Sequence, residues 1–137
     1  MRAVLDPNIL IAALLSPSGA PAQIVSRWLA GDVELVVSEL LLAELERALR
    51  FPKLQRRIAA TDALELLALL RDTAMLVPDP RAPPRRSPDP GDDYLLGLAE
   101  AASAILVSGD EHVLGLADRY PVQTARTFLD MPHKGGE

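Results

Sequence analysis

The sequence predicts an α/β fold, a three-layer α/β/α sandwich with a mostly parallel central sheet. Short runs rich in apolar residues recur at Arg2–Leu5, Val33–Val37 and Ala104–Val107. Segments of helical period lie between them, and capping residues or breakers mark most junctions. Strands apolar on both faces that alternate with helices imply a parallel sheet covered on both sides. Right-handed crossovers then stack the chain as three layers.

The elements follow in order. Arg2–Leu5 is a buried strand, and Pro7–Leu14 a helix that starts straight after it. Ser16–Gly19 is a turn, and Pro21–Ala30 a second helix, ended by Gly31. Val33–Val37 is a strand, and Ser38 is placed as the N-cap of a helix reaching Leu49. Pro52 breaks the chain before a short helix, Lys53–Ala59. Thr61 is placed as the cap of the next helix, to Asp72, and Ala74–Val77 forms a strand. Residues 78–90 hold six of the twelve prolines and three arginines, and form a loop. Asp92–Ser103 is a helix, Ala104–Val107 a strand, and Glu111–Leu116 a short helix. Val122–Thr124 is a weak last strand, and Arg126–Met131 closes with a turn of helix.

A length of 137 residues suits one domain, expected to span residues 1–137. There is no cysteine, so disulfides and thiolate metal sites are excluded. Oxygen donors then favour Mg²⁺ or Mn²⁺ over zinc. No targeting segment is visible and no apolar run has the length of a membrane span. The expectation is a cytoplasmic protein with no membrane partner.

The net charge is −5, but it is unevenly placed. Residues 47–86 carry nine Arg or Lys against four Asp or Glu, a local surplus of five positive charges. An acidic protein with one basic segment can hold a phosphate backbone along one side. A solvated helix and loop would read the same way.

Acids gather where a parallel sheet places its chemistry, outside the carboxyl ends of the strands. Val4-Leu5 leads into Asp6-Pro7-Asn8, and Leu106-Val107 into Ser108-Gly109-Asp110. Val36-Val37 leads into Ser38 and, two turns on, Glu44. Asp92 and Asp93 open the helix before the strand 104–107. Asp6, Asp92 and Asp110 each also suit a helix N-cap. Glu44 does not, because it lies mid-helix, about 40° from Ala48 and at the edge of the stripe Leu41, Leu45, Leu49. A carboxylate pressed against a core needs a partner. On the helix from Asp92, the same projection points Asp92 at the buried arc and turns Asp93 away with Glu100. Asp93 is kept as an outer metal ligand. Four converging acids repel one another. Two divalent cations resolve that repulsion, and such pairs catalyse in-line phosphodiester cleavage; a single Mg²⁺ with several waters is the other arrangement.

The motifs resemble those of PIN-domain nucleases. Val4-Leu5-Asp6-Pro7-Asn8-Ile9-Leu10-Ile11 is similar to the first motif, and Ser38-Glu39-Leu40-Leu41-Leu42-Ala43-Glu44-Leu45, with Phe51-Pro52-Lys53, to the second. Asp89-Pro90-Gly91-Asp92-Asp93-Tyr94 resembles the third, and Val107-Ser108-Gly109-Asp110-Glu111-His112 the fourth. Within the family the chain looks most like the prokaryotic VapC-related toxins of toxin–antitoxin pairs. The resemblance implies a Mg²⁺- or Mn²⁺-dependent endoribonuclease with Asp6, Glu44, Asp92 and Asp110 as its catalytic, metal-holding acids. It implies that Asn8 and Ser108 orient those acids, with Ser38 in support. It implies an RNA substrate, a homodimer, and inhibition by a small antitoxin protein. Arg85 and Arg86 are expected to contact RNA. His112, on an exposed turn, is not expected to bind metal. Tyr94 and Trp28 are assigned to packing, with base stacking as the alternative.

A receiver-type phosphotransfer domain needs a lysine after a late strand, which Ser108-Gly109-Asp110 does not supply. A haloacid-dehalogenase-like phosphatase needs a second aspartate where Asn8 stands. The non-enzymatic alternative is a catalytically silent PIN-like module that binds RNA or protein.

Overall fold

The computed structural model describes residues 1–80 and 93–131. Arg85, Arg86 and Asp92 lie outside the described residues. The elements run β1 (Arg2–Leu5), α1 (Pro7–Leu15), α2 (Ala20–Leu29), β2 (Glu34–Val37), α3 (Glu39–Leu49), α4 (Pro52–Gln55) and α5 (Ala60–Thr73). Then come β3 (Met75–Leu76), α6 (Asp93–Ala101), β4 (Ile105–Val107), α7 (Glu111–Leu114), β5 (Val122–Gln123) and α8 (Ala125–Asp130).

The five strands form one sheet in the order β3-β2-β1-β4-β5. Every pairing is parallel, so the sheet is wholly rather than mostly parallel among the described residues. In the centre, Ala3, Val4 and Leu5 of β1 stand beside Ile105, Leu106 and Val107 of β4. All but the first residue of β1 and of β2 is buried, as a strand covered on both faces requires.

The chain steps one way from β1 through β2 to β3, then returns to the other side of β1 for β4 and β5. Right-handed crossovers put the helices of those two excursions on opposite faces. The packing agrees: α1 lies against α2 and α3, whereas α6 lies on β1 and β4. One contiguous core joins both faces, with Leu10, Leu41, Leu45, Leu95, Leu98, Leu106 and Phe128 fully buried.

Several junctions differ from the sequence expectation. Helix α5 starts at Ala60, with Ala59 at its N-cap and no side-chain cap bond, so Thr61 lies inside the first turn. Helix α4 ends at Gln55 rather than Ala59. Strand β3 pairs over only two residues, because Met75 and Leu76 at the sheet edge are half-buried and exposed. Helix α6 stops at Ala101. Beyond it Ser103 takes a left-handed φ of 53°, and the Ala104 N–H returns to the Ala99 carbonyl at 2.8 Å. This is a Schellman closure with serine where glycine is usual.

Candidate active site

The strand order reverses at β1, which opens a crevice between the carboxyl ends of β1 and β4, where open α/β sheets bind their ligands. Asp6 follows β1, and Ser108 follows β4. The Asp6 N–H donates to the Val107 carbonyl at 3.0 Å, so its backbone continues the central ladder.

Asp6 is both a cap and a site residue. Its Oδ1 accepts from the Asn8 N–H at 2.9 Å and caps α1, which has Pro7 in its first turn. Its Oδ2 accepts from the Ser108 hydroxyl at 3.0 Å, and the same hydroxyl oxygen accepts the Asp110 N–H at 3.0 Å. Ser108 is fully buried and bridges the two acids. Asp110 repeats the pattern: its Oδ1 caps α7 by accepting from the His112 N–H at 2.7 Å and, weakly, from Val113 at 3.4 Å. Its Oδ2 has no protein donor among the described residues. Asn8 contributes its backbone N–H, and its side chain is exposed.

Burial raises the Asp6 carboxyl pKa above the ordinary aspartate value, because desolvation outweighs the two hydrogen bonds; the charge of Asp110 pushes it the same way.

Glu44 enters from α3. Ser38 fixes the start of that helix by accepting the Leu41 N–H at 3.2 Å, and Asp79 Oδ2 accepts the Leu40 N–H at 3.0 Å. Glu44 is half-buried, at the rim of the core stripe. Its Oε2 accepts the Tyr94 hydroxyl at 2.8 Å. Burial first, then this hydrogen bond and the charge of Glu44, hold the Tyr94 phenol well above its ordinary pKa. Sequence reading assigned Tyr94 to packing or stacking. It is buried, and it also positions Glu44. Asp93 corrects the helical projection: it is buried, not turned to solvent, because α6 is enclosed on every side from Asp93 to Ala99.

Asp6, Asn8 and Glu44 line one cleft of about 230 Å³ with Pro7, Leu95, Arg47, Ala48 and Phe51. Arg47 and Phe51 were not singled out as site residues in the sequence. The available signal was spacing: residue 47 is three after Glu44 on the same helix face. A larger hollow of about 340 Å³ between α3, α4 and α5 is mostly apolar and is lined by none of Asp6, Glu44 and Asp110. Among the described residues no three acids or histidines stand close enough to form a metal cluster. The structure thus brings Asp6 together with Asp110, and puts Glu44 on the cleft that Asp6 lines. No single helix among the described residues is long and apolar enough to cross a membrane.

The parallel sheet, its switch point and the acid pair there define a PIN-like α/β domain. The chain belongs to the PIN-domain family, whose model matches residues 2–112. PIN domains are generally nucleases, and the fold is of that type. The chain is also similar to the uncharacterized protein MJ1680 of Methanocaldococcus jannaschii, with 22% identity over 118 residues, 86% of this chain and 76% of the relative. Among solved structures it is similar in fold to PAE2754 from Pyrobaculum aerophilum, with a TM-score of 0.64 and 18% identity, covering 94% of this chain and 87% of that one.

Proposed function

We propose that this protein is a Mg²⁺- or Mn²⁺-dependent endoribonuclease that hydrolyses RNA phosphodiester bonds. The observation that carries this reading is the buried Asp6 carboxylate at the β1/β4 switch point, linked through Ser108 to Asp110 and sharing a cleft with Glu44.

The donor set suits a hard divalent cation. It is all oxygen, and Glu44 Oε1 and Asp110 Oδ2 accept no hydrogen bond from the described residues. The raised Asp6 pKa marks a buried carboxylate that a nearby positive charge would favour in its ionised form. By the motif resemblance Asp6, Glu44, Asp92 and Asp110 would hold the ion, with Asp93 as an outer ligand; Asp6 and Asp110 are the two of these already joined, through Ser108. A bound divalent cation supplies Lewis-acid polarisation of the phosphate and eases deprotonation of the attacking water. The chain's own residues do the positioning. Asn8 and Ser108 fix the two oxygens of Asp6, Tyr94 fixes Glu44, and Arg47 offers a cation to the phosphate.

The motif resemblance supports the finer reading, a toxin of a toxin–antitoxin pair acting in the cytoplasm as a homodimer and restrained by a small antitoxin protein. Arg85 and Arg86 are proposed as further contacts to the RNA backbone.

The test is cleavage of a mixed RNA pool by the purified protein in Mn²⁺, beside an Asp6→Asn control and an EDTA control. Cleavage lost in both controls supports the nuclease and its acid site together. A folded wild type that binds RNA and Mn²⁺ but never cuts would favour the silent binding module.

A further inference from the structure

We propose that Phe51 and Arg47 form a nucleotide subsite for single-stranded RNA, the ring stacking on an unpaired base while the guanidinium holds a neighbouring phosphate. This inference rests on the nucleic-acid reading of the adjoining acids.

The sequence has five aromatic residues, and all lie within the described part of the chain. Trp28, Tyr94 and Phe128 are buried, and Tyr120 is half-buried. Phe51 alone is open, at 57% exposure, and it sits on the cleft that Asp6 and Glu44 share. Core packing therefore does not account for it.

Its backbone is held firmly. The Phe51 N–H donates to the Ala48 carbonyl at 3.1 Å, and the Phe51 carbonyl accepts from Leu54 and Gln55, each at 3.0 Å. Pro52 restricts it to extended backbone, observed at φ −62° and ψ 133°. A rigid aromatic platform loses little conformational freedom when a base stacks on it.

The charge around the ring suits a polyanion. Residues 47–57 hold five cations, Arg47, Arg50, Lys53, Arg56 and Arg57, and no acid; all five are exposed. Arg50 is paired with Glu46 at 2.8 Å. The Arg47 guanidinium, on the cleft itself, has no hydrogen bond or ion pair with any described residue. An aromatic face beside an unpaired guanidinium is the combination that tracks single strands. A base within a duplex has both faces covered, so the ring selects unpaired nucleotides.

Fluorescence anisotropy tests this with a labelled single-stranded oligoadenylate RNA, alone and annealed to its complement, in EDTA so that nothing is cut. We expect Phe51→Ala to weaken single-strand binding by about tenfold or more, Phe51→Trp to retain it, and Phe51→Leu to fail to restore it. Duplex binding should be equal in all four proteins. Arg47→Ala should weaken binding and lower the salt slope by about 0.7. Wild-type affinity in Phe51→Ala, rescue by Phe51→Leu, or no preference of the wild type for the single strand would each overturn the subsite. A wild type that binds through Phe51 yet never cleaves in Mn²⁺ would overturn the nuclease reading and leave the subsite standing.

Discussion

The Tyr94 hydroxyl reaches across from α6 to Glu44 on α3, donating a hydrogen bond of 2.8 Å. The two helices belong to different crossovers, so this bond ties a site acid to the opposite excursion of the chain. Tyr94→Phe keeps the ring and removes only the tether. Water can replace the lost partner at half-buried Glu44, so the stability cost should be about 0.5–1 kcal/mol. If Tyr94 positions Glu44, kcat should fall more than KM rises. Unchanged kcat would reduce Tyr94 to a core residue.

Asp6 sets a pH dependence whose sign is fixed by its raised pKa. In the metal-free protein the native state holds this proton more tightly than the unfolded chain does. That contribution favours folding at low pH and is lost as pH rises through the folded pKa. The melting temperature of Asp6→Asn relative to wild type should therefore increase from acid to neutral pH. A difference independent of pH would mean that burial does not raise the Asp6 pKa as described above.

Ser108→Ala removes the bridge between Asp6 and Asp110 and strands the Asp110 N–H, which has only that hydroxyl as partner. A loss of about 1–3 kcal/mol is expected on urea unfolding, together with loss of cleavage. Full cleavage by a destabilised variant would separate the bridge from catalysis.

Divalent cations should stabilise the protein through the same acids. Mn²⁺ at about one hundred times its Kd adds about 2.7 kcal/mol if it binds only the native state. Thermal scans should show this shift in wild type and not in Asp6→Asn. Equal shifts in both would place the ion elsewhere.

Ser103 predicts a gain. Glycine adopts the left-handed region without the steric penalty that serine meets at φ 53°. Ser103→Gly should stabilise by about 0.5–1 kcal/mol once glycine's greater freedom in the unfolded chain is offset. The check is a higher urea midpoint at unchanged slope.

The β1–α1 junction was legible because strand, cap and proline follow one another at Leu5-Asp6-Pro7. Glu44 was legible because a mid-helix acid beside a leucine stripe has no capping explanation. Asp93 was misjudged, since projection assumes one solvent face and α6 has none before Glu100. The bond from Tyr94 to Glu44 spans 50 residues, and no local pattern encodes such a partner. Phe51 was visible as a letter, but its exposure depends on how α4 leaves α3. The two-residue edge strands were traced too long, because their ends are set by pairing rather than by apolar content.

The hydrogen bond from Ser108 to Asp6 joins residues 102 positions apart. On the ribosome Asp6 emerges about a hundred residues before Ser108. The central strand β1 must therefore wait for β4, the later made of its two neighbours. A chain made only as far as α6 carries Asp6 and Glu44 without Ser108 and Asp110. A protein proposed to cut RNA would thus stay harmless to the template that encodes it until β4 and Asp110 have been made.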